Sequence, residues 1–138
     1  MGQLHTALVG DCKGTAGPNQ SWAYNTGTRT WQNTTGYDIY IKRAWVLMGV
    51  QGGISAHDFS VNVWVDDHDL GGISQIVNEN TTVSDDCTLK WESASDYYKV
   101  PNGEVVYWSS YATLYDPNVT QPKLLQCTVR IGFTINSP

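Results

Sequence analysis

Positive charge is scarce in this 138-residue chain: eight Lys and Arg stand against thirteen Asp and Glu, for a net charge of −5. Lys42–Arg43 is the one adjacent basic pair. So few scattered cations leave no electrostatic footprint for a phosphate backbone or an anionic lipid surface, so neither nucleic acid nor membrane is an expected partner. No stretch approaches the roughly 20 apolar residues of a membrane-spanning helix. The opening MGQLHTALVGDCKG has no basic start followed by an apolar run. No secretory signal is therefore expected, and synthesis in a cytoplasm is. Cysteine is limited to Cys12, Cys87 and Cys127, with no CxxC or Cys/His spacing that would suit zinc. Cys127 reads as a small buried hydrophobe. Cys12 and Cys87 would be available to pair in an oxidising medium, although nothing in the sequence places them together.

Helical periodicity is missing as well, with no convincing window longer than about ten residues. What takes its place is alternation. From Lys123 to Asn136 the chain reads KLLQCTVRIGFTIN, with Leu125, Cys127, Val129, Ile131, Phe133 and Ile135 at every second position. A strand turns successive side chains to opposite faces, so this run is a strand with one apolar face. Its length points to a central strand against which the others register, since a slip of one residue would turn that whole face outward. Phe59 to Val65 (FSVNVWV) alternates in the same way, with Phe59, Val61, Val63 and Val65 inward and Asn62 and Trp64 outward. Glu104 to Tyr115 alternates Val106, Trp108, Ala112 and Leu114 against Val105, Tyr107, Tyr111 and Tyr115. Short strands are also expected at Thr28 to Gln32 and Thr88 to Glu92, a short strand or connector at Ile73 to Val77, and polar loops at DDHDLGG and NENTTVSDD. The strand from Tyr37 to Val50 is apolar on both faces over its second half, so it is either covered on both sides or bulged near Lys42–Arg43.

Gly, Pro, Asn and Asp clusters between these runs mark an all-β fold. The expected architecture is an antiparallel β-sandwich of seven to nine strands, jelly-roll connectivity favoured over an immunoglobulin-like Greek key. Residues 28–138 would form the sandwich. Residues 1–27, with weak patterning and turn chemistry in DCKGTAGPNQ, read as an N-terminal arm or loop-rich extension, or as a loop packed on its own domain by Trp22.

Groupings that carry catalysis are absent. His5, His57 and His68 lie in turn-like sequence without a GxSxG elbow, and Asp58, Glu92, Asp96 and Glu104 suggest no opposed pair. Gly52-Gly53 and Gly71-Gly72 fall between strands, not before a helix that would cradle phosphate. The chain reads as a non-enzyme with no cofactor. For metal, Asp67 and Asp69 in the DDHD stretch are a weak calcium candidate, lacking the closing Glu of an EF-hand loop; a solvated turn is the simpler reading.

Six Trp and eight Tyr against two Phe favour half-exposed surfaces and interfaces. Trp64 beside Asn62, with Tyr107 and Tyr111, forms a candidate surface for a glycan or a partner: sugar CH faces stack on rings while Asn and Asp bind hydroxyls. The competing reading packs those rings in a sheet or a subunit interface. Trp22, Trp45 and Met48 are the candidate oligomer or partner contacts. N-x-S/T sequons at Asn19, Asn33, Asn80 and Asn118 are explained by an Asn/Thr-rich surface without invoking glycosylation.

The segment RTWQNTTGYDIYIKRAWVLMGV resembles the opening strands of small all-β proteins of tailed-phage particles, where a strand ends in an N-x-T-G turn and the next carries an I-x-I run. The resemblance implies a virion structural component: a capsid decoration (cement) protein or a head or tail fibre module. It would bind a viral capsid or tail protein and assemble as a homo-oligomer, trimer favoured. A lectin-like module binding a host surface glycan is the alternative.

Overall fold

The computed structural model describes residues 3–16, 20–24, 29–51, 56–90, 97–114 and 123–137. Among these there is no helix. The strands are β1 (His5–Ala16), β2 (Gln20–Tyr24), β3 (Trp31–Gln32), β4 (Ile39–Gln51), β5 (Ala56–Val65), β6 (His68–Val77), β7 (Thr81–Asp86), β8 (Thr88–Leu89), β9 (Tyr98–Val100), β10 (Val105–Leu114) and β11 (Lys123–Ile135). They form two antiparallel sheets. One runs β1-β11-β4-β7, with β9 also on β4; the other runs β2-β10-β5-β6-β8, with β3 also on β10. The all-β sandwich expected from alternation is what the chain forms.

The last strand is central, held between β1 and β4 from Leu124 to Phe133. Leu125, Cys127, Val129 and Ile131 are fully buried and Phe133 nearly so, while Gln126, Thr128 and Arg130 face out. The bulge expected near Lys42–Arg43 is present: Gly132 pairs with Arg43 and Phe133 with Ile41, leaving Lys42 as the extra residue. Ile39 and Ile41 before it, and Ala44, Val46, Met48 and Val50 after it, all point into the core. Phe59, Val61, Val63 and Val65 of β5, with Val106, Trp108 and Ala112 of β10, supply the opposite layer.

Residues 5–16 and 20–24 take a different place from the arm or extension that their sequence suggests. Both segments are strands hydrogen-bonded into the sandwich, β1 on β11 and β2 on β10. Two features conceal β1. A bulge at Val9 switches the inward positions from odd to even numbers, and two of the even positions are glycine. A Cβ on Gly10 would meet the Trp108 indole, and one on Gly14 would meet Tyr24 and Trp22. The apolar bulk at these points comes from the facing sheet.

DDHDLGG is likewise not a loop. Asp66 and Asp67 alone make the turn, Val65 pairs with His68, and β6 follows at once. Asp66 takes a φ of 52°, a left-handed conformation that Asp tolerates better than most residues. NENTTVSDD yields β7, a strand exposed at five of its six residues. Of the expected strand at Thr88 to Glu92, Thr88–Leu89 is a strand and Lys90 is not, and Trp91, Glu92 and Tyr115 lie outside the described residues.

The pairings are nested: β1 with β11, β2 with β10, β4 with β7 and β5 with β6. The second contact of β4 with β11, and of β5 with β10, folds that nest into two layers.

Candidate functional site

The four residues expected to form a binding surface come together on the outer face of the β2-β10-β5-β6 sheet. Cross-strand register sets Tyr107, Trp64 and Asp69 in one row, Ser109, Asn62 and Gly72 in the next, and Tyr111, Ser60 and Ser74 in the third. The Trp64 and Tyr107 rings lie parallel, 6° apart, with centroids 6.2 Å apart. Their polar atoms are both engaged within the chain. The Trp64 indole N–H donates to Ser109 Oγ at 3.0 Å, and the Tyr107 hydroxyl donates to the Asp66 carbonyl. Burial, with the carboxylates of Asp67 and Asp66 nearby, holds the Tyr107 phenol above its ordinary pKa.

Asn62 is oriented by Asp69, whose two carboxylate oxygens accept from Nδ2 at 3.1 Å each. The same carboxylate accepts from the Gly71 N–H at 2.8 Å and faces Lys90 Nζ at 3.7 Å. Asn62 Oδ1 therefore remains as an outward acceptor. Tyr111 is 43% exposed and exchanges a 2.8 Å hydrogen bond with Ser21 Oγ. Hydrogen bonds from Ser21 and Thr113 lower its pKa. Between Asn62 and Tyr111 lies a shallow groove of about 240 Å³, floored by Ser60, Ser109 and Ala23. Small residues flanked by rings make a surface that offers hydroxyls, an amide oxygen and a flat apolar wall together. Ser109 and Ser60 were not picked out from the sequence, although their parity matches that of Tyr107 and Asn62.

The candidate contact residues do not come together. Trp22 and Met48 are buried in the core of the single chain, at 3% and 0% exposure, and so are unavailable to a partner. Trp22 contacts Phe59 edge-on at 5.4 Å, and Met48 stands in register with Cys127. Trp45 alone lies on an outer face, that of the β1-β11-β4-β7 sheet. The Arg43 guanidinium sits 4.2 Å from the centre of its ring and donates to Asp86 at 2.6 Å. Arg130 and then Leu8 continue the row.

Asp67 and Asp69 have different surroundings. Asp67 lines an open cleft of about 520 Å³ with Asp66, Glu104, Thr30 and Tyr107, whereas Asp69 is engaged by Asn62 and Lys90. Among the described residues no group of three or more His, Cys, Asp or Glu is placed to hold a metal ion.

No family model and no curated sequence matches the chain. Solved structures do. The whole chain superposes on 33% of a chain in the structure of infectious bursal disease virus Gx strain, with a TM-score of 0.56 and 7% identity. The chain shares its fold with that part of the viral chain. At lower TM-scores, 97% of the chain overlaps 46% of a chain of deformed wing virus carrying the GFP gene (0.47, 6% identity). A chain of the heated full particle of Israeli acute paralysis virus is overlapped over 71% of its length (0.46, 9% identity). The likeness is one of fold, and it does not point to tailed phages in particular. This chain spans about a third of the infectious bursal disease virus chain.

Proposed function

We propose that the chain is a non-enzymatic structural protein of a virion, working through contacts with other capsid proteins. The observation that carries this reading is the superposition of the entire chain, end to end, on part of a protein from a virus particle. The nested pairing supports it: a long hairpin rolled into two layers is how a jelly roll is built, an architecture common to capsid and lectin domains. A decoration or fibre role and a trimeric state are the finer form of the proposal. The contact surface would be the outer face around Trp45, where a ring capped by Arg43 lies beside Leu47 and the exposed Leu4. Sedimentation equilibrium tests this. The expected mass is about three times the 15.3 kDa of one chain. Trp45→Glu should return the monomer with its β-sheet circular dichroism intact. A wild-type monomer that fails to co-sediment with capsids would remove the reading.

A second reading is favoured by the opposite face. Trp64, Tyr107, Asn62 and Tyr111 lie on one outer face, where Asn62 and Tyr111 line a groove of about 240 Å³ and the two stacked rings stand one row away, as a carbohydrate-binding surface would require. The carboxylates of Asp66, Asp67 and Glu104 nearby favour a neutral sugar over a sialylated or sulfated one. A glycan array probed with the folded protein should show neutral ligands that Trp64→Ala abolishes. A blank array would exclude this reading and leave the assembly role standing.

A further inference from the structure

Cys12 and Cys127 are 115 positions apart in the sequence, yet they are direct cross-strand partners on β1 and β11. Both side chains point to the inner face, at 4% and 0% exposure, and both carry thiols. Directly opposed residues of an antiparallel pair have Cα atoms about 4.5 or 5.5 Å apart, both within the roughly 4.4–6.8 Å span that a disulfide bridges. Cys87 has no such partner position. It occupies the single-residue connection between β7 and β8, where the chain leaves one sheet for the other. The pairing that the sequence left open for Cys12, with Cys87, is thus displaced by a closer one.

We infer that Cys12 and Cys127 are a disulfide site, closed when the protein folds or persists in an oxidising medium. The bond would fasten the edge strand β1 to the central strand β11. Edge strands open first in local unfolding, so Cys12 is the thiol that reaches an oxidant. With glutathione disulfide as oxidant, the Cys12 thiolate attacks one sulfur and releases a glutathione thiolate, which takes up the proton Cys12 gave up. The Cys127 thiolate then attacks the Cys12 sulfur of the mixed disulfide and expels the second glutathione, which is protonated in turn. Two protein thiols are oxidised and one glutathione disulfide becomes two glutathiones. Closing so long a loop restricts the unfolded chain more than the folded one, which raises stability.

The test is oxidative refolding of the reduced chain in a glutathione redox buffer, followed by alkylation, proteolysis and mass spectrometry. The expected product is a Cys12–Cys127 cross-linked peptide lighter by two hydrogens, with Cys87 alkylated. The thermal midpoint should rise by several degrees over the reduced protein. Cys87→Ser should keep the link and the rise, and Cys12→Ala should lose both. Alkylation of Cys12 and Cys127 after oxidation, or a link from either to Cys87, would overturn the assignment. The wild-type peptide map decides the matter even if a variant fails to fold.

Discussion

Gly10 of β1 and Trp108 of β10 meet across the sandwich so closely that a Cβ atom on the glycine would lie 2.0 Å from the indole Nε1. Trp108 is fully buried, and its N–H donates to the Arg29 carbonyl at 3.0 Å. Gly10→Ala should therefore destabilise the fold by roughly 2–4 kcal/mol, through overpacking and a strained indole hydrogen bond. Urea unfolding of the single mutant measures the cost. In a Trp108→Leu background the same substitution should cost much less, because the two positions share one volume.

Asn33 is fully buried and fully bonded. Its Nδ2 donates to the carbonyls of Tyr37 and Val100 at 2.9 and 3.0 Å, and its Oδ1 accepts from the Thr35 N–H and hydroxyl. Asn33→Asp would set a carboxylate oxygen against two carbonyls and should cost about 3 kcal/mol or more. A thermal melt would register the loss. The same geometry predicts that the Asn33 sequon stays unmodified even in a glycosylating host, which intact-mass spectrometry would show.

Two tryptophans separate folding from surface function. Trp108→Ala should cost roughly 3–5 kcal/mol by emptying the core. Trp64→Ala loses one stacked ring and one hydrogen bond on a half-buried face and should cost about 1 kcal/mol. If denaturant titration gave the two variants equal losses, the assignment of Trp64 to the outer face would fail.

Alkali should weaken the fold between about pH 9 and 12. Burial, above all other causes, raises the Cys127 thiol from 9.0 to about 12, and burial with the Asp86 and Asp85 charges does the same for Cys87. Each group binds its proton more tightly in the folded state, so its contribution is complete below pH 9 and is lost as the pH climbs through the folded value. For fully buried Cys127 the whole effect is roughly 4 kcal/mol. Cys127→Ala should flatten that part of the stability–pH curve. An unchanged curve would mean that other groups control alkaline unfolding.

Much of this fold was legible wherever one face of a strand is apolar and the other polar. β11, β5 and β10 declared themselves in this way, and the bulge in β4 was one of the two readings left open where Arg43 breaks the alternation of its own strand. The strands that stayed hidden lack that contrast for physical reasons. In β1 the inward positions include Gly10 and Gly14, whose space is filled by rings from the other sheet. In β6 a bulge at Leu70 shifts the parity, and Gly71 stands at a buried position where bulk would have been expected. β7 is polar nearly throughout because it lies at an edge. The candidate surface was readable to the extent that parity could place Trp64, Asn62, Tyr107 and Tyr111 outward. Which rows they share depends on register between strands, and single-strand alternation carries no information about that. Trp22 and Met48 were assigned to a surface because aromatic and sulfur side chains suit interfaces and interiors alike.

The order in which this molecule assembles follows from its nested pairing. The two-residue turn at Asp66–Asp67 joins strands that pair at once, whereas the partnership of β1 with β11 must wait for nearly the whole chain to be gathered in. Early structure should gather at that turn, with the outermost pair zipping last and the overall rate lying in the slow range of highly non-local β-proteins, milliseconds to seconds. A nascent chain on the ribosome would thus hold β1 without its partner until β11 has been synthesised.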